Sequence, residues 1–104
     1  MEKRNKKTAT RLFQMRAWKG KAYAFRLSPG IVDHKGIVRE TVIISAANTV
    51  DAGEEVLIFP AADDVRAGEG ALDYMHMPGS QRGHLDHRKV LHDLGYRIKD
   101  GGGE

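Results

Sequence analysis

The stretch IVRETVIISA, residues 37–46, decides the fold. At its centre Thr41, Val42, Ile43 and Ile44 are all β-branched. Such side chains are restricted about χ1, crowd a helix and pack well on a pleated surface. An unbroken run of them fits a strand covered on both faces. C-terminal to it, residues 48–55 contain Asn48, Asp51 and Gly53, which turn the chain back into Val56-Leu57-Ile58-Phe59, closed by Pro60. These two strands are expected to pair antiparallel.

N-terminal to it, Asp33, His34, Lys35 and Gly36 form a polar connection, and Ser28-Pro29-Gly30 is expected to end the preceding strand. Residues 12–18 and 21–27 alternate with period two, with Phe13, Met15 and Ala17 on one face of the first segment and Tyr23, Phe25 and Leu27 on one face of the second. Lys19-Gly20 between them reads as a two-residue hairpin turn. Residues 63–70 form an acidic, glycine-containing loop, residues 71–77 fit a short strand or a helical turn equally well, and residues 78–83 read as a loop. Asp86 can then cap a helix over residues 87–94, with Val90, Leu91 and Leu94 on one buried stripe and Gly95 as its stop. Tyr96 and Ile98 form a last short strand or pack back on the helix.

The expected architecture is α+β, an antiparallel sheet of four to five strands with one short C-terminal helix on one face. A chain of 104 residues closes one core. Residues 1–10 read as a basic flexible arm, 11–99 as a single domain and 100–104 as a flexible tail. A small sheet also leaves an edge open to a partner or a second copy, and the lysines flanking Gly20 are placed to guard one edge.

Without cysteine the chain has no disulfide framework, no thiolate chemistry and no sulfur-ligated zinc. No apolar run approaches the roughly 18–20 residues that span a bilayer as a helix, and the opening MEKRNKKTAT has no apolar signal core, so a cytoplasmic location is expected. Charge is placed unevenly. In the first 26 residues Lys3, Arg4, Lys6, Lys7, Arg11, Arg16, Lys19, Lys21 and Arg26 face a single acid, Glu2, whereas the rest of the chain is net acidic. A cationic front on an anionic body points to an anionic partner. The aromatic residues Phe13, Trp18, Tyr23 and Phe25 interleave with the cations as nucleic-acid stacking requires, although three of them also satisfy the alternation of core positions.

Ser80 and Arg82, in a glycine-bounded loop before the helix, could hold an anion, but the loop lacks the lysine and spacing of a phosphate loop. His84, His87 and His92 cluster with Asp86, yet His87 and His92 are five apart and diverge on a helix, so a metal site would need His76 or His34 as well. No motif activates Ser28, Ser45 or Ser80, and the carboxylate pairs Glu54-Glu55 and Asp63-Asp64 are sequence neighbours in loops. Neither a cofactor nor enzymatic activity is expected.

Residues 40–98, with ETVIISAANTV, EVLIFPA and LDYMHMPGSQRGHLDHRKVLHDLGYRI in that order, resemble small uncharacterised proteins encoded by bacteriophages and prophages. The resemblance implies an accessory protein acting in the host cytoplasm on a host protein or nucleoprotein target, and it carries no residue roles. Two expectations result: an interaction protein whose acidic body docks on a host protein, and a nucleic-acid-binding module built on the basic front and first hairpin.

Overall fold

The computed structural model describes residues 7–16 and 18–100. The elements are β1 (Lys7–Gln14), β2 (Lys21–Val32), β3 (Val38–Thr49), β4 (Gly53–Pro60), β5 (Gln81–Arg82), α1 (His87–Asp93) and β6 (Tyr96–Asp100). They form one curled, mixed six-stranded sheet in the order β5-β4-β3-β2-β1-β6, with α1 on one face.

β3 lies inside the sheet and Thr41 to Ala46 are all buried, so the β-branched run is covered on both faces. Alternation sorts its side chains. Val42, Ile44 and Ala46 join Phe25, Leu27, Val56, Ile58, Val90 and Leu91 in the core under the helix. Ile43 faces the other way and packs with Ala22, Ala24, Met15, Ala61 and Val65. Burying each large aliphatic contributes about 1.5–3 kcal/mol, so the molecule has two thin apolar layers with the sheet between them.

The helix forms where expected. The Asp86 side chain accepts the amides of Arg88 and Lys89, and Gly95, at φ 92°, takes the left-handed conformation after the last turn. Leaving α1, the chain reaches the far edge of the sheet and lays β6 beside β1 in parallel, Ala9 opposite Ile98. The all-antiparallel expectation fails here, and six strands replace four to five. A parallel pair needs no hairpin and leaves no local turn signal.

Four further boundaries differ. β1 starts at Lys7, inside the stretch read as an arm, because strands on both sides bury Ala9 completely. At the other end, β6 includes Asp100, which was assigned to the tail. β2 does not end at Ser28-Pro29-Gly30 but runs to Val32; its pairing with β3 lapses after Arg26 and resumes at Ile31. Proline is tolerated where the ladder is already interrupted, and Gly30 is required because a Cβ there would sit 2.4 Å from the Arg39 carbonyl oxygen. Finally, the β1–β2 connection spans residues 15–20 in place of a two-residue turn. The Arg16 amide donates to the Ala67 carbonyl at 2.6 Å, which draws this loop toward the 61–70 segment.

Residues 71–77 are neither strand nor helix. They run along the outer edge of β4, where the Leu72 amide donates to the Pro60 carbonyl and the Met77 amide to the Ile58 carbonyl. The sheet edges are therefore β5 and β6, and Lys19 and Lys21 flank an interior connection and guard neither.

Candidate functional site

On the face opposite α1, the side chains of β3 become small toward its C-terminal end. Register places Ser45 beside Leu57 and Ala47 beside Glu55, with Ile43 and Phe59 one step further along. Paired residues share a face, so Ser45, Ala47 and Leu57 make the floor of a hollow. Gly20, at φ 75°, lets the β1–β2 loop close over it, since a Cβ there would lie 2.2 Å from the Ala46 carbonyl oxygen. The resulting cleft has a volume of about 590 Å³.

Its wall is aromatic. Trp18, Phe59 and Tyr74 stand in a triangle with ring centroids 5.6, 5.9 and 5.8 Å apart, within the range of favourable tilted contacts. Two polar contacts orient them: the Trp18 indole N–H donates to the Glu69 carbonyl at 3.3 Å, and the Tyr74 hydroxyl accepts the Ala71 amide at 3.2 Å. Phe59 is buried, Trp18 is half-buried and Tyr74 is exposed.

Arg16 and Lys19 also line the cleft, and among the described residues neither makes an ion pair or a side-chain hydrogen bond. The carboxylates beside them are engaged. Arg82 Nε approaches Glu55 Oε1 at 3.4 Å, and Glu69 Oε1 accepts the Arg66 amide at 2.9 Å. Ser45 is 8% exposed, and among the described residues its hydroxyl has no hydrogen-bond partner.

Of the basic and aromatic residues singled out from sequence, the structure thus brings Arg16, Trp18 and Lys19 to one site. Lys7 is used by the fold, its ammonium donating to the Leu94 carbonyl at the end of α1 and lying 4.8 Å from the centre of the Tyr96 ring. Arg11 stacks over Tyr23 on the helix side of the sheet, and Lys21 is exposed there. Lys3, Arg4 and Lys6 lie outside the described residues. Phe59, Tyr74 and Ser45 were missed. The visible signal was the alternation of small residues, Ser45 and Ala47, on the face of β3 opposite Ile44.

The loop before the helix is occupied by structural duties. Ser80 Oγ accepts the Ile58 amide at 3.0 Å and donates to the Met77 carbonyl at 2.9 Å, while Arg82 pairs with Glu55. The histidines diverge. His84 Nδ1 accepts the Asp86 amide, so the hydrogen-bond network assigns its proton to Nε2, which meets Gln81 Oε1 at 2.8 Å. His87 Nε2 reaches the Lys21 carbonyl at 2.8 Å, His92 is exposed, and His34 lies 3.5 Å from Asp73. Among the described residues no three His, Asp or Glu side chains meet as a ligand set.

Four carboxylates hold the body together. Asp33, accepting the Ile37 amide, the Arg39 guanidinium and the Lys35 amide, is held below the usual carboxylate range despite its burial. Asp73 is lowered by the Met75 amide and by His34 and Lys35, and Asp93 by Lys89 and Gln81. Together with the Glu55–Arg82 contact, these carboxylates pair with cations of the body itself. No protein-family model, curated protein or solved structure matches the chain.

Proposed function

We propose that the protein is a non-enzymatic nucleic-acid-binding module whose cationic loop, residues 15–20, and the cleft beneath it receive a single strand. The observation that carries this reading is the division of charge in the folded body. Asp33, Asp73, Glu55 and Asp93 pair with Arg39, Lys35, Arg82 and Lys89, whereas Arg16, Lys19, Lys21 and Arg26 make no ion pair among the described residues. Cations held at a surface without internal counterions attract phosphates and release the ions condensed on them.

The test is fluorescence anisotropy of a labelled single-stranded oligonucleotide between 50 and 200 mM salt. Binding is expected to weaken linearly on a log–log scale. Because each phosphate contact on a single strand contributes about −0.7 to that slope, the double variant Arg16→Ala, Lys19→Ala is expected to flatten it by about 1.4. Absence of binding at low salt, or a slope unchanged in the double variant, overturns the reading.

A second reading, a protein partner docking on the acidic body, is favoured by the outer end of the β2–β3 hairpin. There Val32, Ile37 and Val38 are 49%, 45% and 59% exposed. Capture of one protein from host lysate that survives nuclease treatment, and is lost in Val38→Asp, supports it; capture abolished by nuclease opposes it.

A further inference from the structure

We propose, resting on the nucleic-acid reading above, that the cleft is a receptor for one unstacked base, with the adjoining phosphate held by Arg16 and Lys19. Three features select this ligand chemistry. The first is the aromatic wall. Trp18, Phe59 and Tyr74 touch one another at 5.6–5.9 Å, which fills the space that a caged ammonium would need and offers an outward surface for stacking. The second is charge: Arg16 and Lys19 make no ion pair among the described residues and can take a phosphate, while Glu55, one of the two carboxylates that share the cleft with them, is paired with Arg82.

The third is the floor. Ser45 is more than nine-tenths buried, lines the cleft, and among the described residues has no partner for its hydroxyl. Buried hydroxyls nearly always find a hydrogen bond, and the penalty for leaving one unmade is large enough that a ligand group is the natural complement. Glu55 stands diagonally across from Ser45 on the same face, with its side chain 13% exposed. A hydroxyl and a carboxylate at that separation can read the edge of a base, and the carboxylate accepts from an exocyclic amino group. The volume of about 590 Å³ lies within the range of clefts that hold small organic ligands.

The experiment compares two labelled 12-mers with identical phosphate charge, oligo-dA and a wholly abasic oligomer, followed by anisotropy and by the emission of Trp18, the single tryptophan of the chain. Oligo-dA is expected to bind on the order of tenfold or more tighter and to quench Trp18, whereas the abasic strand binds through charge alone. Tyr74→Ala, at a position 64% exposed, is expected to remove the base-dependent gain and leave abasic binding, which rests on Arg16 and Lys19, unchanged. Equal affinity for the two strands, or a gain that persists in Tyr74→Ala, overturns the base receptor while the charge-based reading stands. Failure of both strands to bind overturns both.

Discussion

Replacing Ser80 by alanine removes one hydroxyl, and the structure says what that hydroxyl does. Ile58 is fully buried on β4, and its amide points to the outer edge, where Ser80 Oγ accepts it at 3.0 Å. In Ser80→Ala the amide stays buried and loses that acceptor, at a cost of about 1–3 kcal/mol. For a domain near this size each kcal/mol moves the melting temperature by roughly 4–8 °C. Arg82, two residues on, provides the contrast: its side chain is 71% exposed, so Arg82→Ala removes a screened ion pair and is expected to cost less than about 1 kcal/mol. Urea unfolding followed by Trp18 emission and far-ultraviolet circular dichroism measures both. If Ser80→Ala were as stable as the parent and lost affinity for single strands instead, the hydroxyl would be a ligand group, and the placement of the site on the opposite face of the sheet would be wrong.

Leu91→Ala empties the centre of the helix-to-sheet contact and is expected to cost about 2–5 kcal/mol by thermal melting; a cost below 1 would mean that α1 is not held by this core. Gly20→Ala forces a side chain into a positive φ against the Ala46 carbonyl, so a loss of more than about 1 kcal/mol and a shifted Trp18 emission are expected, and an unperturbed spectrum would contradict the loop geometry. Asp33 titrates below the ordinary carboxylate value when folded, chiefly because it accepts the Ile37 amide. Its contribution is therefore present above the unfolded value of about 4 and is lost as pH falls through the depressed folded value. Asp33→Asn is expected to be less stable at neutral pH and to show a flatter acid limb; parallel pH profiles for parent and variant would contradict this.

Much of the helix side was legible from local signals. The Asp86 cap, the Val90-Leu91-Leu94 stripe and Gly95 all act within one or two turns, and Tyr23, Phe25 and Leu27 alternate as a half-buried strand must. The parallel β1–β6 pair was not legible, because it joins the two ends of the chain and its paired stretches, residues 7–11 and 96–100, hold only Ala9, Tyr96 and Ile98 as apolar anchors. Lys7 and Thr8 resemble a solvated arm until Tyr96 and the end of α1 supply partners for the lysine. Ser28-Pro29-Gly30 has the composition of a terminator and behaves as an interruption, since β3 is long enough to re-engage β2 beyond it.

The cleft was half legible. Arg16, Trp18 and Lys19 stood out as cations beside an aromatic ring, and all three line it. Phe59 read as the apolar end of a strand, Tyr74 lay in a segment without periodicity, and Ser45 looked like the small ending of a buried run. What joins them is the register of β3 on β4 and the path of residues 61–74 over the sheet, neither of which leaves a mark in local sequence.

Entry of a single nucleic-acid strand into this cleft is tested by titrating unlabelled oligo-dA into the isotopically labelled protein and following amide and indole resonances. The Trp18 indole N–H and the amides of Arg16, Lys19, Ser45 and Leu57 are expected to shift together and saturate, while those of Val90 and Leu91 under the helix stay in place. Shifts confined to the helix side of the sheet, around Arg11, Lys21 and Arg88, with the Trp18 indole unmoved, would contradict it.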